Sequence, residues 1–273
     1  MKLLCCDLDG TLLPHGKKLS DRNIKMLHYL RQRGVVFSLA TGRSLHSLHT
    51  VFPLDMPIDY AIIATGSGIL RWGDQALIRR EVLSEEQVRY AMGRLAAAHM
   101  DFTIQKPLPE NHYLAYYSAV KKNTAAQNDY RKRLQRLQEF AQPLELENWH
   151  GDAGQLLCVM EPDEEQFNYW KKELSDFSVI RATSPNDDKT IWMEIFPSGV
   201  NKASACDWLA KHAGCCETYA IGNDHNDYDM LLWADHSIMM PGVMPQQDIH
   251  KKIRVLETPI ENVLQAACAY WKL

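Results

Sequence analysis

The stretch Leu3-Leu4-Cys5-Cys6-Asp7-Leu8-Asp9-Gly10-Thr11 governs how the rest of the chain is read. Four apolar residues run straight into two acids and a glycine. Such a run is a buried strand that opens into a loop. Side chains at i and i+2 of an extended segment point the same way, so Asp7 and Asp9 face one side together. In a parallel sheet that side belongs to the carboxyl edge, where ligands bind. Two carboxylates this close repel unless a cation or a proton lies between them. An acidic turn is the other use of these residue types, and the remaining sequence decides between the two.

Working outward, Ser20 caps a helix to about Arg33, with Ile24, Leu27 and Leu30 on one face and Gly34 as its stop. Residues 35–40 form a second apolar strand, Thr41-Gly42-Arg43 leads into a helix, and residues 60–64 form a third strand. This alternation predicts right-handed crossovers and a parallel sheet. After Gly66 the pattern changes. Residues 69–72 and 76–82 flank Gly73-Asp74 as a hairpin, and Ser84-Glu85-Glu86-Gln87 is a capping box. Strand-like segments at 101–105, 113–118, 156–161 and 178–183 alternate with helical ones at 126–141 and from Pro162 onward. That block predicts an α+β unit with its helices on one side of a mainly antiparallel sheet. Alternation returns with a strand at 191–196, a helix at 202–212, strands at 218–221 and 237–240, and helices at 228–234 and 259–271. The expected fold class is α/β: a doubly wound, Rossmann-like parallel-sheet core, residues 1–82 and 188–273, with an α+β domain inserted at 83–187.

The 273 residues are 46% apolar and 23% charged, the balance of a folded protein able to bury a large core. A formal net charge of −4 argues against a nucleic-acid or membrane-surface partner. The seven cysteines are odd in number and include two adjacent pairs, Cys5-Cys6 and Cys215-Cys216. That suits a reducing cytoplasm better than a disulfide framework. The apolar start meets Asp7 too early for a signal-peptide core, and no stretch approaches the ~20 apolar residues of a membrane span.

Three more motifs fall at strand ends of the expected core. The Thr41 hydroxyl and the N–H groups around Gly42 open a helix and can hold phosphate oxygens. Lys202 begins a helix, where a cation opposes the macrodipole and a bound anion would account for it. Gly222-Asn223-Asp224-His225-Asn226-Asp227 follows a strand with oxygen-bearing side chains of the kind Mg²⁺ takes. A helix N-cap explains one or two of those residues and not the whole cluster. Mg²⁺ prefers oxygen to nitrogen, so His225 reads as a loop or substrate-side residue.

Taken in order, Asp7-Leu8-Asp9-Gly10-Thr11, Thr41-Gly42-Arg43, Lys202 and Gly222 to Asp227 resemble the haloacid dehalogenase-like phosphatase superfamily. The similarity is to its Cof-type branch, in which a large α/β cap is inserted between the second and third motifs. The resemblance implies that Asp7 attacks phosphorus to give an aspartyl-phosphate and that Asp9 serves as acid and then base. It further implies that Thr41, Gly42 and Lys202 bind the phosphate, and that Mg²⁺ meets Asp7, Asp9 and either Asn223 or Asp224, with Asn226 and Asp227 in support. The expected substrate is a small phosphorylated metabolite, a sugar phosphate by class, and the oligomeric state is left open. Two departures stand out: relatives begin the fourth motif Gly-Asp where this chain has Gly222-Asn223, and they often carry Asn-Gly where it has Thr65-Gly66. Transfer to a sugar, as in a phosphomutase, and ligand binding without turnover are the alternative functions.

Overall fold

The computed structural model describes residues 1–14, 18–119, 124–187, 189–241 and 249–273. The chain divides into two compact units, one built from Met1–Arg80 with Asn201–Leu273, the other from Glu81–Val200.

The first unit holds an eight-stranded sheet. Its strands are β1 (Lys2–Cys6), β2 (Val35–Ala40), β3 (Tyr60–Ile63), β4 (Gly68–Arg71) and β5 (Ala76–Arg80), then β12 (Glu217–Gly222), β13 (His236–Met239) and β14 (Ile253–Val255). The order is β14-β13-β12-β1-β2-β3-β4-β5. The first six are parallel, and β4 and β5 turn back antiparallel. The helices α1 (Asp21–Gln32), α2 (Leu45–Val51), α6 (Lys202–His212), α7 (Tyr228–Trp233) and α8 (Val263–Trp271) belong to the same unit. Chain order is thus scrambled so that β12, from the last third, lies against β1. The carboxyl ends of β12, β1, β2 and β3 stand side by side, which is why motifs far apart in sequence meet. Leu3 and Cys5 on β1 pack with Ala205, Cys206 and Leu209 on α6. Burial of such apolar side chains contributes roughly 1.5–3 kcal/mol each and fixes the helix against the sheet.

The second unit holds the six-stranded sheet β10-β11-β9-β6-β7-β8. Its strands are β6 (Phe102–Gln105), β7 (Leu114–Tyr117), β8 (Ala141–Pro143), β9 (Gln155–Met160), β10 (Phe177–Thr183) and β11 (Ile191–Pro197). All neighbours are antiparallel except β7 and β8. Its helices are α3 (Glu85–Ala97), α4 (Ala125–Arg136) and α5 (Glu164–Glu173). The expected capping box at Ser84 and Gln87 starts α3.

Two expectations are corrected here. The strand over 191–196 was assigned to the core, but β11 lies between β10 and β9 in the second sheet, so that unit extends to Val200 rather than ending at 187. Its apolar run, broken only by the buried Glu194, reads alike as a parallel core strand or as a central antiparallel one. The helices also cover both faces of this sheet. Val88, Leu95, Phe167 and Trp170 of α3 and α5 pack on Phe102, Cys158 and Met193. Ala126 and Tyr130 of α4 pack instead on Leu157 and Val159, which point the opposite way along β9. The helix expected over 126–141 ends at Arg136, and the short strands β8 and β14 were not anticipated. Three residues carry too little pattern to register as a strand.

Candidate functional site

Asp7 follows β1 directly, and its N–H continues the ladder by donating to the Ile221 carbonyl of β12 at 2.8 Å. The Asp7 side chain is 5% exposed. Lys202, the first residue of α6, is 1% exposed, and its Nζ donates to Asp7 Oδ1 at 2.8 Å and to Asp227 Oδ1 at 2.6 Å. Asn226 Oδ1 accepts from the same ammonium at 3.5 Å. The cation that opposes the helix dipole is therefore held by two carboxylates.

One ammonium among two buried carboxylates leaves negative charge uncompensated. Burial pushes the Asp7 carboxyl up to about 8, the charge of Asp227 adds to the rise, and Lys202 opposes both. Lys202 moves the other way: burial works against its charged form, but Asp227 and Asp7 outweigh that and hold its pKa above the ordinary lysine value.

Two glycines make this packing possible. A Cβ on Gly222 would lie 2.5 Å from Asp227 Cβ and 2.6 Å from its Cγ. Only glycine lets Asp227 fold back beneath the end of β12, where its Oδ2 accepts from the N–H groups of Asn223 and Asp224 at 2.9 and 3.0 Å. Gly66 has φ +106°, and a Cβ there would stand 2.3 Å from the Asn201 carbonyl oxygen. The turn after β3 thus presses on the start of α6 and fixes where Lys202 begins. Ala64 and Thr65 before it also have positive φ, 46° and 55°, and Thr65 is fully buried. A β-branched residue in that region stores strain of order 1–3 kcal/mol.

The second motif joins at the same edge. The Thr41 N–H donates to the Ile62 carbonyl of β3 at 2.9 Å, and its buried hydroxyl accepts from the Arg43 N–H at 3.2 Å. A Cβ on Gly42 would be 3.4 Å from Thr65 Oγ1 and 3.8 Å from Asn226 Nδ2. Asp7, Lys202, Asn226, Asp227 and the Thr41-Gly42 loop, all selected from sequence, are gathered here.

The remaining predicted residues stand differently. Asp9 is engaged at both carboxyl oxygens by Arg43. Asn223 Oδ1 accepts from the Thr11 hydroxyl at 3.1 Å, which ties the fourth motif to the first. Asp224 instead caps the short turn His225–Asp227, its carboxylate accepting from the His225 N–H at 2.7 Å. Arg43 and Thr11 were passed over, although both lie inside the quoted motifs. Their partners, 34 and 212 positions away, leave no trace in a linear reading.

Among the described residues, no three His, Cys, Asp or Glu side chains form a metal-ligating group. The expected ligands, Asp7 and Asp9 with either Asn223 or Asp224, lie on the first and fourth loops, which the Thr11–Asn223 bond ties together. The donors still fit a hard divalent ion. They are all oxygens, burial and the Asp227 charge disfavour an ionised Asp7 that a cation would favour, and Mg²⁺ typically takes only one or two carboxylates and keeps several waters.

Residues 4–246 match the family model for haloacid dehalogenase-like hydrolases. A phosphatase from Bacillus subtilis (strain 168) named for 5-amino-6-(5-phospho-D-ribitylamino)uracil is 26% identical over 267 residues, covering 90% of this chain and 90% of its own. An HMP-PP phosphatase from Serratia proteamaculans (strain 568) is 23% identical over 262 residues, covering 90% of this chain and 85% of its own. Among solved structures, the subclass IIB sugar phosphatase BT4131 superposes with a TM-score of 0.73 at 17% identity, over 100% of this chain and 99% of that one. At that identity the likeness speaks for the fold.

Proposed function

This chain belongs to the haloacid dehalogenase-like hydrolase family and is a phosphatase of it, and from that premise we propose that it hydrolyses a small phosphorylated metabolite through an aspartyl-phosphate on Asp7. The observation that carries the proposal is the buried Asp7–Lys202–Asp227 cluster with Asp9 two residues past the nucleophile.

Lys202 holds Asp7 Oδ1, so Oδ2 is the attacking oxygen. It bonds to phosphorus as the ester P–O bond breaks, and Asp9 gives its proton to the departing oxygen. Asp9 then takes a proton from water as that oxygen bonds to phosphorus, and the Asp7 O–P bond breaks to release phosphate. The main obstacle is charge, because each unit of like charge at 4 Å costs about 4 kcal/mol at an effective dielectric of 20. Lys202 offsets part of it, and the Thr41-Gly42 loop orients the phosphoryl group with N–H and hydroxyl donors. Mg²⁺, held by Asp7 and Asn223 with water, would supply the remaining positive charge at the phosphoryl oxygens. Asn223 is preferred to Asp224 because its amide oxygen meets Thr11 on the first loop, whereas Asp224 caps its own turn.

Glu81–Val200 is read as the cap that selects the leaving group. The named relatives act on different phosphorylated compounds, so the reading stops at the class, with sugar phosphates first to be tried. All seven cysteines are free, as a reducing cytoplasm would keep them, and we propose that location for the chain; no helix among the described residues is long and apolar enough to cross a membrane.

The test is inorganic phosphate release from a panel of phosphomonoesters, with Mg²⁺ and with chelator, for the native chain beside Asp7→Asn. Metal-dependent release by the native chain alone is expected. Substantial release by a folded Asp7→Asn removes the nucleophile. Transfer of phosphate to a sugar in place of release turns the reading to a mutase.

A further inference from the structure

Asp9 has a partner that the family reading leaves without a role. Arg43 Nε donates to Asp9 Oδ2 at 2.7 Å, and Nη2 of the same guanidinium donates to Asp9 Oδ1 at 2.7 Å. This is a fork-to-fork pair, the geometry in which arginine differs most from lysine. The fork is itself fixed. Its third nitrogen, Nη1, donates to Ser47 Oγ at 2.9 Å on the first turn of α2. The Arg43 N–H donates to Thr41 Oγ1 at 3.2 Å, and the Arg43 carbonyl accepts from the Ala64 N–H at 2.9 Å. The loops after β2 and β3 therefore fix Arg43, and Arg43 holds the side chain of Asp9.

An aspartate has two side-chain torsions, and its first loop turns sharply at Gly10, where φ is +78°. Asp9 is also only partly buried, with 31% of its side chain exposed, so packing alone does not fix it. Proton transfer falls steeply with misplacement of the donor, and an error of 1 Å can cost about 100-fold. A bidentate guanidinium removes both torsions at once. Each carboxyl oxygen has two lone pairs, so the fork takes one on each oxygen and leaves the other open to a proton.

We propose that Arg43 is a positioning residue for the acid–base step: it holds the Asp9 carboxyl in register with the leaving oxygen and contacts neither the phosphoryl group nor the leaving group. The proposal rests on the reading of Asp9 as acid and base given above. In the first step the proton on Asp9 passes to the leaving oxygen as the P–O bond breaks. In the second, Asp9 takes the proton from water as that oxygen bonds to phosphorus.

The experiment compares kcat/KM for two esters, p-nitrophenyl phosphate and the best alkyl phosphate of the panel, in the native chain, Arg43→Lys and Arg43→Gln. Nitrophenolate leaves without a proton, whereas an alkoxide does not. For Arg43→Gln, kcat/KM on the alkyl ester is expected to fall roughly 10- to 100-fold, part of the 10²–10⁴ that acid–base catalysis supplies. On the nitrophenyl ester it should stay within about threefold, since no proton transfer assists that departure. Arg43→Lys keeps the charge and loses the fork, and is expected to fall between the two. Equal losses on both esters, carried by a rise in KM, would make Arg43 a phosphate anchor and overturn the proposal. Native-like kcat/KM in Arg43→Lys would also overturn it, since charge without the fork would then suffice. Thermal melting of each variant separates these outcomes from misfolding. If the native chain is active and Asp7→Asn is not, the family mechanism stands whatever Arg43 does. If the native chain releases no phosphate, the mechanism fails first and this proposal with it.

Discussion

Each unit of the chain buries a cation, and the two surround it in opposite ways. Lys202 sits at a strand edge with two carboxylates within 2.8 Å. Arg133 of α4 lies under the Trp192 ring, its guanidinium carbon 4.8 Å from the centroid, and its Nε has no hydrogen-bond partner. Gln105, with its carboxamide turned to satisfy both neighbours, accepts from Arg133 Nη2 at 3.0 Å and donates to the Asn111 carbonyl at 3.1 Å. The consequences diverge. Lys202 is held above the ordinary lysine value. Burial, assisted by the charge of Arg136, pushes Arg133 down to about 10 in spite of Glu194. Burial of charge is therefore common to both units and marks no site by itself. The first cluster is distinguished by its surplus of carboxylate, assembled from separate loops at the carboxyl ends of adjacent strands. There two carboxylates share one ammonium, and burial makes it costly to keep Asp7 ionised.

The largest break in this comparison is Lys202→Met. It leaves Asp7 and Asp227 facing each other without their ammonium, and removing one partner of a buried pair costs about 3–5 kcal/mol. We expect phosphatase activity to vanish and the urea midpoint to fall. Adding Asp227→Asn to the variant should restore part of the midpoint and none of the activity. An unchanged midpoint in Lys202→Met would mean that the carboxylates are already neutral and the surplus charge does not exist.

A smaller effect is expected from Gly222→Ala, because it adds a methyl group and leaves every charge in place. The new Cβ overlaps Asp227 Cβ and Cγ, and overpacking of this kind costs typically 1–3 kcal/mol. Asp227 must withdraw from Lys202, so activity should fall together with thermal stability. Retained activity at native stability would show that Asp227 can shift without consequence and that its bond to Lys202 is incidental.

The first loop shows how far the sequence carried this site. Asp7, Thr41, Gly42, Asn226 and Asp227 were legible because each follows a strand of an alternating pattern, and parallel strands deliver their ends to one edge; Lys202 was legible as a cation at a helix start, although the strand before it, β11, belongs to the other sheet. Seven of the eight strands of the first sheet were legible for the same reason, down to the antiparallel turn at β4 and β5, whereas β14 was missed and the strand at 191–196 was wrongly added to it. Partner choice was not. Nothing in the order of residues says that Asp9 meets Arg43, that Asn223 meets Thr11, or that Asp224 turns onto the His225 N–H. Those outcomes depend on side-chain direction within loops, where no hydrophobic period constrains it. The inserted unit was misjudged where burial is two-sided. β11 carries Trp192 on one face and Ile191, Met193 and Ile195 on the other, so its apolar run matches a core strand as well as a central antiparallel one.

The mildest expected effect completes the comparison. Arg133→Met keeps the length of the stem under Trp192 and removes a guanidinium that burial already disfavours. Glu194 keeps the bond from Gln155 Nε2 at 3.0 Å, and replacing a poorly paired buried charge by an apolar side chain is often neutral or stabilising. We expect a stability change within about 1 kcal/mol, since the loss of one neutral-partner hydrogen bond is offset by the desolvation regained. Phosphate release should persist, because Arg133 belongs to neither the nucleophile nor the phosphate loops. A loss near the 3–5 kcal/mol of a broken buried pair would place Arg133 beside Lys202 as a fully compensated ion. The contrast between an ammonium held by two carboxylates and a guanidinium left partly unpaired would then have to be abandoned.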